Sequence, residues 1–459
     1  MAEKHLYFCN ILVSRWVNAL GSPGARLQFS LRSGMGHSLG SSTDQALGGS
    51  VSGANHSGVG LSAVPMNAHS SQESNSSTLK NSSLDQPNGQ GSEIPKLPIK
   101  SILVVKWDEI GDMAAAVHVF GTLKSAYPEA KLTVLCKPFV ASLIAGDPAV
   151  DEVITNIEDW RERHDVVVEL RGTWKTLWKS LALRTMPKYR VDRGWVRFLQ
   201  RGHQPHEVVT NERIIRPLLG EGQPIAKRAL YPSVEEIAAA QVWSDWALSG
   251  GGSAEVNSSN NLSAGVQLNS SISPSEGEKV DSSFNQSPGE KTNTTEFAGY
   301  AILHTGARRE LRRWPLDRFV ALSKWLLKEK KLVPIWVGTS DEEQQLDEAF
   351  ALGAAGKKWV APEGSSLLSF YAFIALSKLY VGNESGPLQL ADIAEIPLVA
   401  IYGPGVPNVF YPMSARSRVL HEVLDCNPCD QIHCVRPSDR CIDRIGLAAV
   451  QLAVNEVLV

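Results

Sequence analysis

Residues 379–404 read LYVGNESGPLQLADIAEIPLVAIYGP, and their pattern decides the fold. The apolar run Leu379-Tyr380-Val381 stops at Gly382. A polar turn follows, Asn383-Glu384-Ser385-Gly386-Pro387, and then small and apolar residues at helical spacing as far as Ala394. A second apolar run, from Pro397 to Tyr402, ends in Gly403-Pro404. Strand, tight loop, helix and strand in that order make the unit of a parallel α/β sheet. The loop after the first strand of such a unit lies at the carboxyl edge, where ligands bind. Ser385 and Gly386 would there offer free N–H groups at a helix N-terminus, a seat for phosphate. Glu384 beside that seat conflicts with an anion, a conflict removed if Glu384 binds a neutral sugar hydroxyl.

The same alternation recurs on both sides of a polar interruption. In the first half, strands are expected at 102–107, 131–136, 153–154 and 165–170, with helices at 113–126, near 139–145 and at 174–186. Residues 108–112 form the loop after the first strand. In the second half, strands at 300–304 and 332–337 precede helices at 315–330 and 341–352, and a helix at 367–377 leads into the opening stretch. Continuous Val, Ile and Leu runs mark strands covered by helices on both faces. The fold class is therefore α/β, with two Rossmann-like sheets in tandem. Their carboxyl edges would face each other across a cleft.

Composition sets the boundaries. The 459 residues are 43% hydrophobic and 20% charged with a net charge of −3, as in globular proteins of two or three domains. No general basic field points to nucleic acid, and no apolar run reaches the ~20 residues of a membrane span, which leaves at most peripheral membrane contact. Residues 1–97 are rich in Ser, Gly and Asn and poor in acid, the composition of a disordered leader or an organelle transit peptide. Residues 249–296 repeat it as a disordered insertion. The domains expected are the leader (1–97), an acceptor domain (98–230), a linker helix with the insertion (231–298) and a nucleotide-sugar domain (299–459). A soluble protein of the plastid or the cytoplasm fits this organisation.

Four clusters carry chemistry. Asp112 ends the first strand–loop turn at a helix N-terminus, where a carboxylate serves as a general base or as a simple cap. Thr305-Gly306-Ala307-Arg308 with Arg309, Arg312 and Arg313 could clamp a diphosphate, or stand as a solvated basic turn. Gly338-Thr339-Ser340-Asp341-Glu342 is a third carboxyl-edge loop, with its acids on a ribose or capping the next helix. Cys426-x-x-Cys429 with Cys434 and Cys441 reads as a structural metal site that His433 could join, or as disulfides or buried thiols.

Taken in order, these segments resemble the heptosyltransferases of bacterial lipopolysaccharide synthesis, glycosyltransferases of family 9. The matching stretches are ILVVKWDEIGD (102–112) with Tyr127-Pro128, then Leu303 to Ala307 running on to Arg313-Trp314-Pro315 and Arg318-Phe319. Residues 383–391 with 398–404, and the closing Cys426-x-Pro428-Cys429 with Cys434, Cys441 and Ile445, complete the set. The resemblance implies an inverting, metal-independent transfer without a cofactor, on two Rossmann-like domains of the GT-B type. Asp112 would be the catalytic base. Thr305, Gly306, Arg308, Arg312, Gly338, Thr339, Glu342, Glu384, Ser385, Gly386, Pro387 and Gln389 would hold the donor. The partners implied are a nucleotide-sugar donor, ADP-linked, and a glycan or glycolipid acceptor, with heptose or a related sugar transferred.

Three positions depart from that pattern. Glu384 replaces a usual Asp, Gln389 a common His, and Trp107-Asp108-Glu109 a run of small hydroxyl residues, which makes the acceptor side bulkier and more acidic. A non-catalytic nucleotide-sugar-binding relative is the alternative that these changes raise. An NAD-dependent oxidoreductase is the other, disfavoured because no G-x-G-x-x-G follows Trp107.

Overall fold

The computed structural model describes residues 99–171, 176, 178–179, 189–192, 205–249, 297–405, 407–427, 429 and 431–459. The expected leader, nearly all of the insertion and most of the helix expected at 174–186 lie outside these residues, as do Pro428 and Asp430. In the first half the order is β1 (Ser101–Lys106), α1 (Ile110–Ala114), α2 (His118–Ala126), β2 (Lys131–Cys136), α3 (Pro138–Ala141), β3 (Glu152–Ile154), β4 (Val166–Arg171), β5 (Tyr189–Asp192) and α4 (Glu207–Ile215). Helix α5 (Val234–Leu248) leads to the second half. There β6 (Gly299–His304), α6 (Leu316–Glu329), β7 (Leu332–Gly338), α7 (Glu343–Ala351), β8 (Lys357–Val360) and α8 (Leu367–Ala375) precede β9 (Leu379–Asn383). Then come α9 (Gly386–Ile393), β10 (Leu398–Tyr402), α10 (Pro407–Phe410), β11 (Ser417–His421) and α11 (Leu447–Val457).

Two parallel sheets result, ordered β3-β2-β1-β4-β5 and β11-β10-β9-β6-β7-β8. Each reverses its winding once, between β1 and β4 in the first and between β6 and β9 in the second. Such a switch point opens a crevice beyond the strand ends because the connections on either side leave in opposite directions. The sequence places both crevices: β1 ends at Lys106, β4 at Arg171, β6 at His304 and β9 at Asn383. The described residues form one compact unit that contains both sheets.

Three local expectations change. The segment expected to be a loop up to Asp112 is already helical from Ile110, so Asp112 sits in the first turn of α1. The helix expected at 113–126 is divided into α1 and α2, with turns at 115–117 between them. Residues expected at 341–352 begin as a 3-10 turn (Ser340–Glu342) before α7.

The expected linker helix is docked. Ser233 and Glu236 form a reciprocal capping box at its start, and Lys357 Nζ donates to the carbonyls of Trp246 (2.5 Å) and Ser249 (2.7 Å) at its end. A cation there satisfies carbonyls that the helix leaves open. On its packed side Trp243 meets Trp359 edge-on at 5.1 Å and Phe373 at 5.8 Å, joining α5 to β8 and α8. Trp243 is 7% exposed. Trp243→Ala should therefore destabilise the protein by roughly 3–5 kcal/mol in denaturant titration; a loss below about 1 kcal/mol would mean that α5 is not held by this contact.

Candidate active site

The two crevices meet where α1 approaches α9. A Cβ placed on Gly386 would lie 3.0 Å from Ile110 Cβ, and one on Gly111 would lie 3.4 Å from Gln389 Cγ. A side chain on Gly386 would press on Ile110, whereas one on Gly111 would make an ordinary contact, so the Asp112 turn rests directly on the Ser385–Gly386 turn with Gly386 the tighter position. Ser385 caps α9, and Pro387 at its second position lacks an N–H. The candidate seat therefore rests on the Gly386 and Leu388 amides.

Asp112 belongs to a buried charge cluster. Lys106, fully buried at the end of β1, lies 3.3 Å from Asp108 and 3.2 Å from Glu207, which is itself fully buried in the first turn of α4. Arg171, at the end of β4, contacts Asp108 at 3.3 Å. Three carboxylates thus share two cations. Burial, with the negative charges of Asp108 and Glu207 and against the pull of Lys106 and Arg171, raises the Asp112 carboxyl from 3.8 to about 6. This is the range in which a carboxylate can take a proton near neutral pH.

On the facing crevice His304 contacts Ser385 Oγ through Nδ1 at 3.1 Å, and its Nε2 lies 3.9 Å from Glu342. The Ser385 hydroxyl donates to the Asn383 carbonyl at 3.0 Å, so in the His304 contact Nδ1 is the donor. Burial pushes Glu342 up, but the nearby His304 imidazole and hydrogen bonds from Thr339 outweigh it and hold the carboxyl at about 2. Glu342 Oε1 overlies Gly306, where a Cβ would be only 1.7 Å away. Asn383 ties the Arg-rich loop down: its Oδ1 accepts from Trp314 N (3.0 Å) and its Nδ2 donates to Thr305 O (2.8 Å).

Arg312 is the arginine that reaches this seat. Its Nη1 lies 3.3 Å from Glu384, and its Nε donates to Gln431 Oε1 at 2.6 Å, with Nη2 on the same oxygen. Burial raises the Glu384 carboxyl and Arg312 lowers it, with burial prevailing. Gly405 makes room for that carboxylate, since a Cβ there would stand 2.0 Å from Oε2.

The remaining expected residues divide. Thr305, Gly306, Gly338, Thr339 and Glu342 surround the His304 crevice, with Thr339 and Glu342 in a capping box. Arg308 points away to Glu109 at 3.6 Å and is exposed, and Arg313 donates to the Ala307 carbonyl. Gln389 is buried and its amide donates to Phe410 O at 2.7 Å. The acidity expected on the acceptor side is compensated: Asp108 pairs with Lys106 and Arg171, and Glu109 with Lys137 at 2.7 Å.

The tail cysteines come together in the fold. Cys426, Cys429, Cys434 and Cys441 are free thiols lining a cavity of about 20 Å³ with His433. Among the described residues no group of three or more such side chains is placed to hold a metal ion. The thiols face a common space, whereas a structural metal needs four ligands converging on one point at ~2.0–2.3 Å.

Comparison with known proteins places this geometry. Residues 255–438 match the family model described as glycosyltransferase family 9 (heptosyltransferase). Over that stretch the chain is similar to the heptosyltransferase family. Lipopolysaccharide heptosyltransferase 2 of Salmonella typhimurium is 32% identical over 112 residues, which is 24% of this chain and 32% of that enzyme; the Escherichia coli enzyme of the same name matches to the same extent. The aligned stretch thus spans about a third of these relatives. The solved structure of E. coli ADP-heptose lipopolysaccharide heptosyltransferase II, 20% identical, covers 78% of this chain and 98% of its own with a TM-score of 0.54. A family 9 glycosyltransferase from Veillonella parvula, 16% identical, covers 79% and 98% with a TM-score of 0.58. The fold is the two-sheet GT-B arrangement seen in these two structures.

Lys106, Glu207, His304, Asn383 and Gln431 were not expected at the site. A lysine closing an apolar strand and a histidine closing another were signals in the sequence. Glu207 and Gln431 gave none, since each acts on a residue more than a hundred positions away. Lys106→Met should raise the Asp112 titration above about 6 and cost roughly 3–5 kcal/mol, because it leaves buried acids unpaired. Adding Glu207→Gln should recover part of both, read by carboxyl-detected NMR and denaturant titration. A single variant as stable as the parent would contradict the cluster.

Proposed function

We propose that the chain is an inverting, metal-independent glycosyltransferase that moves a sugar from an ADP-linked donor to a hydroxyl of a glycan or glycolipid acceptor. The contact of Gly111 and Ile110 with Gly386 carries this reading, because it joins the turn of a general base to the turn of a phosphate seat. The lipopolysaccharide heptosyl transfer named for the relatives supports heptose or a related sugar as the unit moved. In this reading residues 98–230 take the acceptor and residues 299–459 the donor.

Asp112 removes the proton as the acceptor oxygen attacks the anomeric carbon, and the bond to the donor phosphate breaks on the opposite face. The departing diphosphate gains negative charge, met by the α9 amides and Arg312. Phosphate oxygens would displace the neutral Gln431 carboxamide from Arg312, since a charge-assisted contact is the stronger one. Glu342, held ionised, only accepts hydrogen bonds, which suits a ribose hydroxyl. Glu384 beside Arg312 would take a sugar hydroxyl.

Asp112→Asn should lower kcat by about 10²-fold or more while leaving ADP affinity within about twofold. Asp112 must be ionised to act, so the parent rate should fall as pH drops through about 6. A rate that stays level well below that value would defeat the assignment. Arg312→Ala should weaken ADP binding by roughly 1.5–3 kcal/mol in calorimetry; unchanged affinity would remove Arg312 from the donor seat.

A further inference from the structure

Away from the seat, the far end of α9 closes a second cavity of about 240 Å³ between the two halves of the molecule. Its lining includes His118 at the start of α2, Glu212 on α4, Arg228, Asp392 and Glu395 at the end of α9, and Met413. Two of its groups are unsatisfied. His118 is 1% exposed and neither ring nitrogen has a hydrogen-bond partner among the described residues, and Arg228 Nη1 is likewise buried and unpartnered. A buried polar group left in this state costs about 1–3 kcal/mol. A polar space of this size does not stay empty; it has room for about eight waters at ~30 Å³ each.

The charges around it select among occupants. Arg228 is already neutralised by Asp392 at 2.6 Å, and Asp392 also accepts from Ser414 N at 2.7 Å. Glu212 and Glu395 have no further cation among the described residues of the cavity wall, so an anion meets net repulsion there. Burial, with Arg228 and His206 adding to it, lowers His118 to about 3, so the ring is neutral and offers one N–H and one lone pair. Donors at the floor and acceptors toward the mouth match hydroxyl groups, which give and take hydrogen bonds alike. Met413, 46% exposed, supplies an apolar wall.

We infer that this cavity is a second carbohydrate site, which holds one neutral sugar ring between His118, Arg228, Glu212 and Glu395, away from the donor seat. The inference goes beyond the proposed transfer and does not depend on it. A ring bound there touches α2 and α4 of one half and α9 of the other, and so would hold the halves together.

The test uses the full chain with the methyl glycosides of glucose, galactose and mannose, read by saturation-transfer NMR and calorimetry. At least one glycoside should bind with millimolar affinity and stay bound when ADP is added. Met413→Trp, which fills the mouth, should weaken it by about tenfold or more. His118→Leu should do the same without lowering the melting temperature, since it removes an unsatisfied buried group. No binding by any glycoside would leave a water-filled cavity and overturn the inference. So would displacement by inorganic phosphate or ADP, or binding unchanged in both variants. ADP affinity and transfer are read separately, so a chain that takes the glycoside but not ADP would refute the donor seat and leave this site standing.

Discussion

The closeness of α1 and α9 sets the terms for everything around them. Two parallel sheets each generate a crevice at their own switch point, and neither crevice alone joins a base to a phosphate seat. Gly386 leaves out a side chain that would press on Ile110, and Gly111 packs at ordinary contact distance from Gln389. The proposed base and the proposed seat are then positioned by backbone packing instead of by long mobile side chains. Preorganisation of this kind matters for transfer, because a misplacement of about 1 Å can cost on the order of 10² in rate.

Buried charge is the second constraint. Lys106 and Glu207 have no access to water, and a buried ion pair is seldom a net gain in stability. Its retention is better understood through Asp112, whose ionisation it tunes with Asp108 and Arg171. The facing crevice shows the opposite tuning. Glu342 is kept ionised beside His304 and Thr339, so one acid of the site is raised to about 6 and the other is held low.

Much of this was legible in the sequence where the signal is local. Residues 379–404 fold element by element as their apolar periodicity indicates, and Asp112, Ser385 and Gly386 lie at carboxyl edges because strand–loop–helix order puts them there. The edge strands β8 and β11 were not read, since KKWV and SRVLH are short and mix charge with apolar residues. The division between α1 and α2 was hidden by a run of small residues that all favour helix. Arg312 was found as one of four arginines, but its selection over Arg308 and Arg313 depends on Gln431 and Glu384, which only the tertiary fold brings to it. Sequence periodicity reports which face is buried; it carries nothing about which distant side chain arrives there.

Hydrogen–deuterium exchange of the full chain with and without ADP tests the joined site most directly. The account predicts slowed exchange together in peptides spanning 304–313, 383–390 and 108–114, the last because α1 rests on the seat that ADP fills. Protection confined to other segments, or none in 108–114 when the seat is saturated, would contradict it.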